Sequence, residues 1–504
     1  MSSRKFRIAF AIAVAIVGAN VLNSSVTPPA RAQQVELARR AGNPAGLQAV
    51  LTAIEQDLPY VPGEVLVRFK PGAQTSQQAS ALGVLRAAVN PGNSRWIGDL
   101  LHVRSADIAD PEHAAFLLRN QPEVLYAHPN YISRNKSVPN DSNYSAQWNF
   151  QAINLPTAWD INPGGRTDVL VAVLDSGLTT TDGTFGFQIW DGSRFRTFSI
   201  PFAKMADFDH TRVMQGREFL PGGGWVNPSG GGVVLFDTDG HGTHVAGTIA
   251  QHTNNSQGYA GVAYQTTLLP LKVCYAYWDL QLDLSDRGIP GFAPNADACP
   301  NAGIVEALRY AADNGAKVIN ISIGGTNASP AIREALQYAV SKGAFVSIAA
   351  GNEAQDGNPT VYPAAFAREI AGVMAVGAVN RKTTRASYSS FGNYVEISAP
   401  GGGDGPTADN IWQMGPLQSD LSFFLLSPRF DRSQTYGIAG TSMAAPHVAG
   451  VAALLYSQGI TRPAAIAQAL TRFARDIGPS GRDDEYGAGL VDTRTTLRGL
   501  GLGR

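Results

Sequence analysis

An α/β domain on a mostly parallel central sheet, preceded by a small α+β unit, is the fold class this sequence predicts. Three observations carry it. Between residues 169 and 399 several short runs are apolar at consecutive positions, as in strands covered on both faces. Stretches with apolar residues at helical spacing fall between some of these runs. Ahead of them, residues 59–135 hold short strands and one capped helix, a separate pattern with its own turns.

Taken in order, the chain opens with Arg4, Lys5 and Arg7, an apolar run over 8–17, and Ala30-Arg31-Ala32. That is the basic, apolar and A-x-A layout of a secretory signal over residues 1–32. A membrane anchor, the other reading, needs a longer apolar run. Residues 33–58 are rich in Ala, Gln and Arg with little periodicity and read as a linker. In the 59–135 unit, Gly63-Glu64-Val65-Leu66-Val67-Arg68-Phe69 reads as a strand turned by Lys70-Pro71-Gly72. Leu100-Leu101-His102-Val103 reads as another strand. Asp110-Pro111-Glu112 starts a helix, with proline in the first turn. Val124-Leu125-Tyr126-Ala127 and Tyr131-Ile132 add strand-like material.

Residues 136–504 form the larger unit. After an irregular stretch over 140–160, strands are expected at 169–174, 268–273, 317–323, 344–349, 373–379 and 394–399, with helices at 302–314 and 332–342. Ligands of such sheets sit beyond the carboxyl ends of the strands. Residues 183–237 and 401–434 interrupt this rhythm and read as long surface loops. They are able to wall a cleft, and simple elaboration explains them equally well. The second contains Leu421-Ser422-Phe423-Phe424-Leu425-Leu426, which has the look of an exposed segment.

Only 16% of the 504 residues are charged and the net charge is -1, against about 25% charged in typical domains. A disordered chain or a nucleic-acid binder would carry a strong charge bias, so both classes are excluded. No later run is long and apolar enough to span a membrane. The two cysteines, Cys274 and Cys299, fit an exported protein as one disulfide closing a local loop. Two free thiols are the alternative.

Chemistry-bearing residues stand at the ends of these elements. Asp175 closes the first buried strand in Val173-Leu174-Asp175-Ser176-Gly177, where a carboxylate needs partners; a turn-capping aspartate is the plainer account. His241 opens a helix in Asp239-Gly240-His241-Gly242-Thr243-His244, without the H-E-x-x-H pattern a zinc site would show. Asn352 follows a buried strand in Ala349-Ala350-Gly351-Asn352-Glu353, where an amide can donate to an oxyanion or simply tolerate a turn. Ser442 stands at a helix start in Gly440-Thr441-Ser442-Met443-Ala444-Ala445-Pro446, among unpartnered backbone N–H groups. By itself it reads equally well as a helix cap. Nucleophilic serine catalysis requires a base, a buried acid to orient it and an oxyanion site, and the four residues supply these types.

The order Asp, His, Asn, Ser and the strings around them resemble the subtilisin family of serine endopeptidases. The resemblance implies a three-layer catalytic domain over 136–504 and an inhibitory propeptide over 59–135. It implies that Asp175 orients His241, that His241 is the base, that Ser442 attacks, and that Asn352 with the Ser442 N–H holds the oxyanion. Ser322, Ile323, Gly324 and Gly325 would pair with extended substrate, opposite Ala350 and Gly351, giving a broad apolar P1 preference. Asn254-Asn255-Ser256-Gln257-Gly258 resembles the family's calcium loop, with Gln147 and Asn255 as candidate ligands; the companion aspartate has no clear place. The chemistry itself requires no cofactor. Expected partners are polypeptide substrates and the chain's own propeptide, with no nucleic acid, no membrane after signal removal, and a monomeric state. A secreted, self-processing endopeptidase follows, cut between about residues 131 and 143. The rival readings are a catalytically dead binding scaffold, which would lack a triad member, and a narrow processing protease.

Overall fold

The computed structural model describes residues 44–499 except 56–57, 86–93, 133–137, 210, 222–224, 227–232, 295–296, 404–408 and 423–424. The signal-like segment over 1–32 and part of the expected cut region therefore lie outside the described residues. The chain divides into two compact units, with the boundary after Asn135.

In the first unit, helix α1 (Pro44–Glu55) precedes strand β1 (Tyr60–Phe69), helix α2 (Thr75–Leu82), strands β2 (Arg95–Ile97) and β3 (Leu100–Arg104), helix α3 (Pro111–Arg119) and strand β4 (Val124–Tyr131). The sheet is antiparallel in the order β2-β3-β1-β4. Asp110 caps α3 by accepting from the Glu112 and His113 N–H groups, and Pro111 occupies the first turn. Val65, Val67, Val103, Ala115 and Leu118 form the core. The linker reading of 33–58 is corrected here: α1 is a helix that buries Ala53 and lies against β1. Leu47, Val50, Leu51 and Ile54 stand at i, i+3, i+4 and i+7, a helical spacing that the linker reading overlooked. Glu64 is buried and accepts from His102, Asn130 and Arg104. Burial would raise its carboxyl, but these bonds outweigh that and hold it at about 2.

The second unit is built on strands β5 (Leu170–Asp175), a hairpin β6 (Gly183–Trp190) and β7 (Phe195–Phe202), and short strands β8 (Arg212–Val213) and β9 (Arg217–Glu218). Helix α4 (His241–Ala250), strand β10 (Thr267–Lys272), helices α5 (Tyr277–Asp286) and α6 (Asn301–Asp313), strand β11 (Val318–Ile321) and helix α7 (Pro330–Ser341) follow. Then come β12 (Phe345–Ala349), β13 (Val373–Val379), β14 (Val395–Pro400), the hairpin β15 (Ile411–Pro416) and β16 (Ser433–Ile438), and helices α8 (Thr441–Ser457), α9 (Pro463–Arg472) and α10 (Thr493–Gly499).

The main sheet runs β14-β13-β12-β11-β5-β10-β8, with β9 also on β10, and its pairings are parallel. Residues of β5 alternate between two cores. Val171 and Val173 pack with α4 and α8 on one face; Leu170, Ala172 and Leu174 pack with α6 and α7 on the other. This makes three layers of a subtilisin-like fold. From β5 the chain crosses to β10 on one side and then to β11 on the other, so strand order reverses around β5. The crevice beyond that reversal is where such sheets bind ligands.

Residues 183–237, expected as irregular, contain the β6–β7 hairpin. Its turn is held by Asp191, whose Oδ1 accepts from the N–H groups of Ser193 and Arg194. Phe187, Ile189, Ile200 and Phe202 pack with Phe236, Trp278, Leu282 and Phe430 as a small satellite core. Residues 401–434 likewise contain β15 and most of the turn to β16. Of the apolar run within them, Leu421 packs on the satellite core, and Leu425 and Leu426 are exposed. Cys274 and Cys299 are disulfide-bonded, enclosing α5.

Candidate active site

Asp175 is the last residue of β5 and is buried by strands on both sides. His241 is the first residue of α4, placed by Gly240 in the left-handed region at φ 100°. His241 Nδ1 lies 2.7 Å from Asp175 Oδ1, which also accepts from the Ser176 N–H at 2.8 Å. Asp175 Oδ2 is buried with no hydrogen-bond partner among the described residues. A second carboxylate, Asp237, fixes the same corner: it accepts from Ser176 Oγ, the N–H groups of Gly240 and Thr243, and Thr243 Oγ1. Burial would lower the His241 imidazolium. The charge of Asp175 and its hydrogen bond outweigh this, Asp239 and Asp237 add to it, and the ring rises to about 9. The other histidine of this stretch, His244, is fully buried; burial drives it down to about 3, and its Nε2 pairs with the Ile411 carbonyl. It therefore serves to tie α4 to β15.

Ser442 is the second residue of α8. Its Oγ donates to the Ser322 carbonyl at 3.3 Å, and Ser322 Oγ donates to the Ser442 carbonyl at 2.8 Å. Ser322 in turn borders a cavity of about 190 Å³ together with Asp175, His241 and Ile323. The structure thus brings Asp175 and His241 into contact and holds Ser442 at the same cleft, with its hydroxyl turned to Ser322. Catalytic hydrogen bonds in unliganded sites are often formed only when substrate arrives.

Asn352 follows β12, exposed. Its Oδ1 accepts from the Thr441 N–H at 2.9 Å and from Thr441 Oγ1 at 3.0 Å, which fixes the amide and leaves Nδ2 outward. A Cβ built on Gly440 would lie 3.6 Å from Asn352 Nδ2, 3.7 Å from the Ser442 nitrogen and 3.8 Å from Asn352 Oδ1, so both nitrogens border the same small space. Sequence reading named Asn352 and Ser442 but missed Thr441, whose hydroxyl also receives the Gly351 N–H. A threonine at a helix start carries no signal for that role beyond capping.

Of the proposed substrate-contacting residues, Ile323 and Gly324 line the cleft after β11, half-buried and exposed. Gly325 exchanges both backbone hydrogen bonds with Tyr362. Ala350 is fully buried and its carbonyl accepts from Tyr394 Oη at 3.1 Å. Gly351 sits at φ 113°, and a Cβ there would meet Glu353, Val361 and Ser390.

The metal-ligand expectation is redrawn by the structure. Gln147 is buried with both amide atoms bonded to the Ala260 backbone, so its oxygen is already engaged. Asn255 pairs with Asp207 at 2.5 Å. Asp207, which sequence reading did not place, also accepts from the Tyr259 N–H, and Asp141 accepts from the Asn254 N–H. Asp141 Oδ1 is buried without a partner, and burial raises Asp207 to about 7, with Asp141 contributing. Two buried carboxylates and an amide, brought together from three segments of the chain, suit a hard cation with oxygen ligands. No cluster of three or more His, Cys, Asp or Glu able to hold a metal occurs among the described residues.

Residues 166–489 match the subtilase family, Peptidase S8, and residues 48–130 match the fervidolysin N-terminal prodomain. The chain is 32% identical over 430 residues to a thermophilic serine proteinase of Bacillus sp. strain AK1, covering 85% of this chain and 86% of that protein. It is 33% identical over 400 residues to an extracellular protease of Xanthomonas campestris pv. campestris, covering 77% of this chain and 62% of that protein. Among solved structures, a protease from Pseudoalteromonas arctica PAMC 21717 superposes with a TM-score of 0.52 at 27% identity, over 72% of this chain and 99% of that one. No described helix is long and apolar enough to cross a membrane.

Proposed function

Because the chain belongs to the subtilase family of serine proteases, we propose that it is a secreted, self-processing endopeptidase in which Asp175, His241 and Ser442 form the triad. Ser442 Oγ attacks the scissile carbonyl as His241 Nε2 takes its proton; the same imidazolium then protonates the leaving amine, and water repeats the sequence on the acyl-enzyme. Asp175, bound at Nδ1, fixes the tautomer and stabilises the imidazolium. The oxyanion is held by Asn352 Nδ2 and the Ser442 N–H. The observation that carries this reading is the closeness of those two nitrogens to one point beside a serine whose cleft also holds the His241–Asp175 pair.

Extended substrate lies along Ser322, Ile323 and Gly324, and the small residues Ala350 and Gly351 leave an apolar P1 site. The prodomain-like unit, matched over 48–130, acts as an intramolecular propeptide removed between about residues 131 and 143. Secretion is supported by relatives named as extracellular proteases. Calcium, if bound, would be held by Asp141, Asp207 and Asn255, and would pin the loop over 254–261 without entering the chemistry.

Hydrolysis of a peptide with apolar P1 is the test. Ser442→Ala should lose at least 10⁴-fold in kcat and should accumulate at full proprotein length in a host without other proteases. Maturation and turnover by that variant would overturn the proposal.

A further inference from the structure

The cavity beside His241 holds, besides the Asp175–His241 pair, acidic groups that the reaction does not use. Its floor is Asp175, whose Oδ2 is unpartnered although the side chain is only 3% exposed. Asp239 and Asp297 also line it, and neither is in an ion pair among the described residues. No lysine or arginine lines it, and His241, already paired with Asp175, is its one basic side chain. The remaining wall is the Cys274–Cys299 disulfide with Tyr275, Ala276 and Ile323, largely apolar, together with Ser176 and Ser322. Asp239 is already crowded: burial, then the charge of Asp237, push its carboxyl up to about 6, and Asp297 contributes. A cation entering here would relieve that crowding.

An extended peptide directs successive side chains to opposite sides. With the P1 carbonyl at Ser442 and the P1 side chain toward Ala350 and Gly351, the P2 side chain points the other way, over His241 and into this cavity. A second cavity, bordered by Ile323, Gly324, Tyr362 and Phe366, shares Ile323 and Cys299 with the first. It is the place for the next side chain on the same side, P4, and its wall is mixed, with Asn301, Asn327 and Ser329 beside the apolar residues.

Resting on the endopeptidase reading above, the geometry points to a specificity site for a basic P2 residue: Lys or Arg enters the cavity beside His241 with its stem on the disulfide wall and its charge between Asp239 and Asp297. Long basic side chains match such a surface, apolar along the stem and acidic at the tip. Asp239 and Asp297 act here as specificity residues; the bond from the His241 N–H to Asp239 Oδ2 at 3.0 Å ties this site to the start of α4.

Fluorogenic hexapeptides identical except at P2, with an apolar P1, test this on the mature protein. P2 Lys and Arg should exceed P2 Glu at least tenfold in kcat/KM and P2 Ala at least threefold, and both ratios should shrink in 1 M NaCl. In Asp297→Asn and in Asp239→Asn the Lys-to-Ala ratio should fall at least threefold. If the wild type cleaves all four peptides within twofold of one another, or if neither variant moves the ratio, the basic P2 site is wrong while the endopeptidase reading stands. Failure to cleave any of them, with casein also untouched, would remove both.

Discussion

Replacing Gly440 by alanine adds one methyl group at the point where Asn352 Nδ2 and the Ser442 nitrogen converge. The nearest protein atoms to that methyl are those donors, at 3.6 and 3.7 Å, and Asn352 Oδ1, at 3.8 Å. These are ordinary van der Waals distances. Gly440 has φ 164° and ψ 160°, extended backbone open to any residue. The substitution should therefore cost about 1 kcal/mol or less in stability, within the range of mild substitutions. An oxyanion held by the same donors would sit about 2.7–3.1 Å from each, so its position overlaps the methyl carbon. Displacing it from one donor should lower kcat by about 10²–10³, some 2.7–4 kcal/mol, a range measured for an oxyanion donor in subtilisin, a relative of this chain. The assay is kcat and KM on a chromogenic peptide beside the thermal midpoint of Ser442→Ala and of Ser442→Ala/Gly440→Ala, which avoids autolysis. Nearly equal midpoints with a hundredfold fall in kcat are expected. A Gly440→Ala enzyme within threefold of the wild-type kcat would refute the placement of the oxyanion.

Activity requires neutral His241, so with the ring held at about 9, kcat/KM should rise from neutral pH toward that value. Asp239→Asn removes a negative charge that favours the imidazolium, so the limb should move to lower pH; a limb near the ordinary histidine value of about 6.5 that ignores the substitution would contradict the electrostatics. Calcium chelation should lower the thermal midpoint of the Ser442→Ala protein, and Asp207→Asn should remove that dependence. At a calcium concentration about a hundred times Kd the linkage is worth about 2.7 kcal/mol, and identical melting with calcium and with chelator would exclude the site. Cys299→Ser opens a loop with a sequence separation of 25 between its cysteines, and the stability loss in denaturant titration should be on the order of 3 kcal/mol. A loss below 0.5 kcal/mol would show that the packing of α5 carries the loop alone.

What the sequence made legible follows from where the signals are local. β5 is apolar at consecutive positions because its two faces feed two cores, and Asp175, at its end, stands out as a charge after that run. His241 and Ser442 are marked by glycines and helix starts within a few residues. The satellite core was not legible, because it is assembled from β6–β7, α5 and Phe430, segments far apart in the chain. β6 does carry a period of its own, Phe185, Phe187 and Ile189 alternating with Thr184, Gly186 and Gln188, and the loop reading overlooked it. Asp207 escaped for a similar reason: it lies in irregular chain, and only the fold carries it to the loop of Asn255. Thr441 and Asp239 had visible neighbours but roles that depend on contacts across the cleft. The linker reading of 33–58 failed over 44–55 because the Ala, Gln and Arg content around it drew attention from the helical spacing of Leu47, Val50, Leu51 and Ile54.

The most direct test of the account is covalent. Mature protein treated with a fluorophosphonate should gain one adduct by intact mass, and peptide mapping should place it on Ser442. Labelling should be abolished in Ser442→Ala and slowed at least 10³-fold in His241→Ala. An adduct on another residue, or labelling that survives Ser442→Ala, would contradict the assignment of this cleft as the active site.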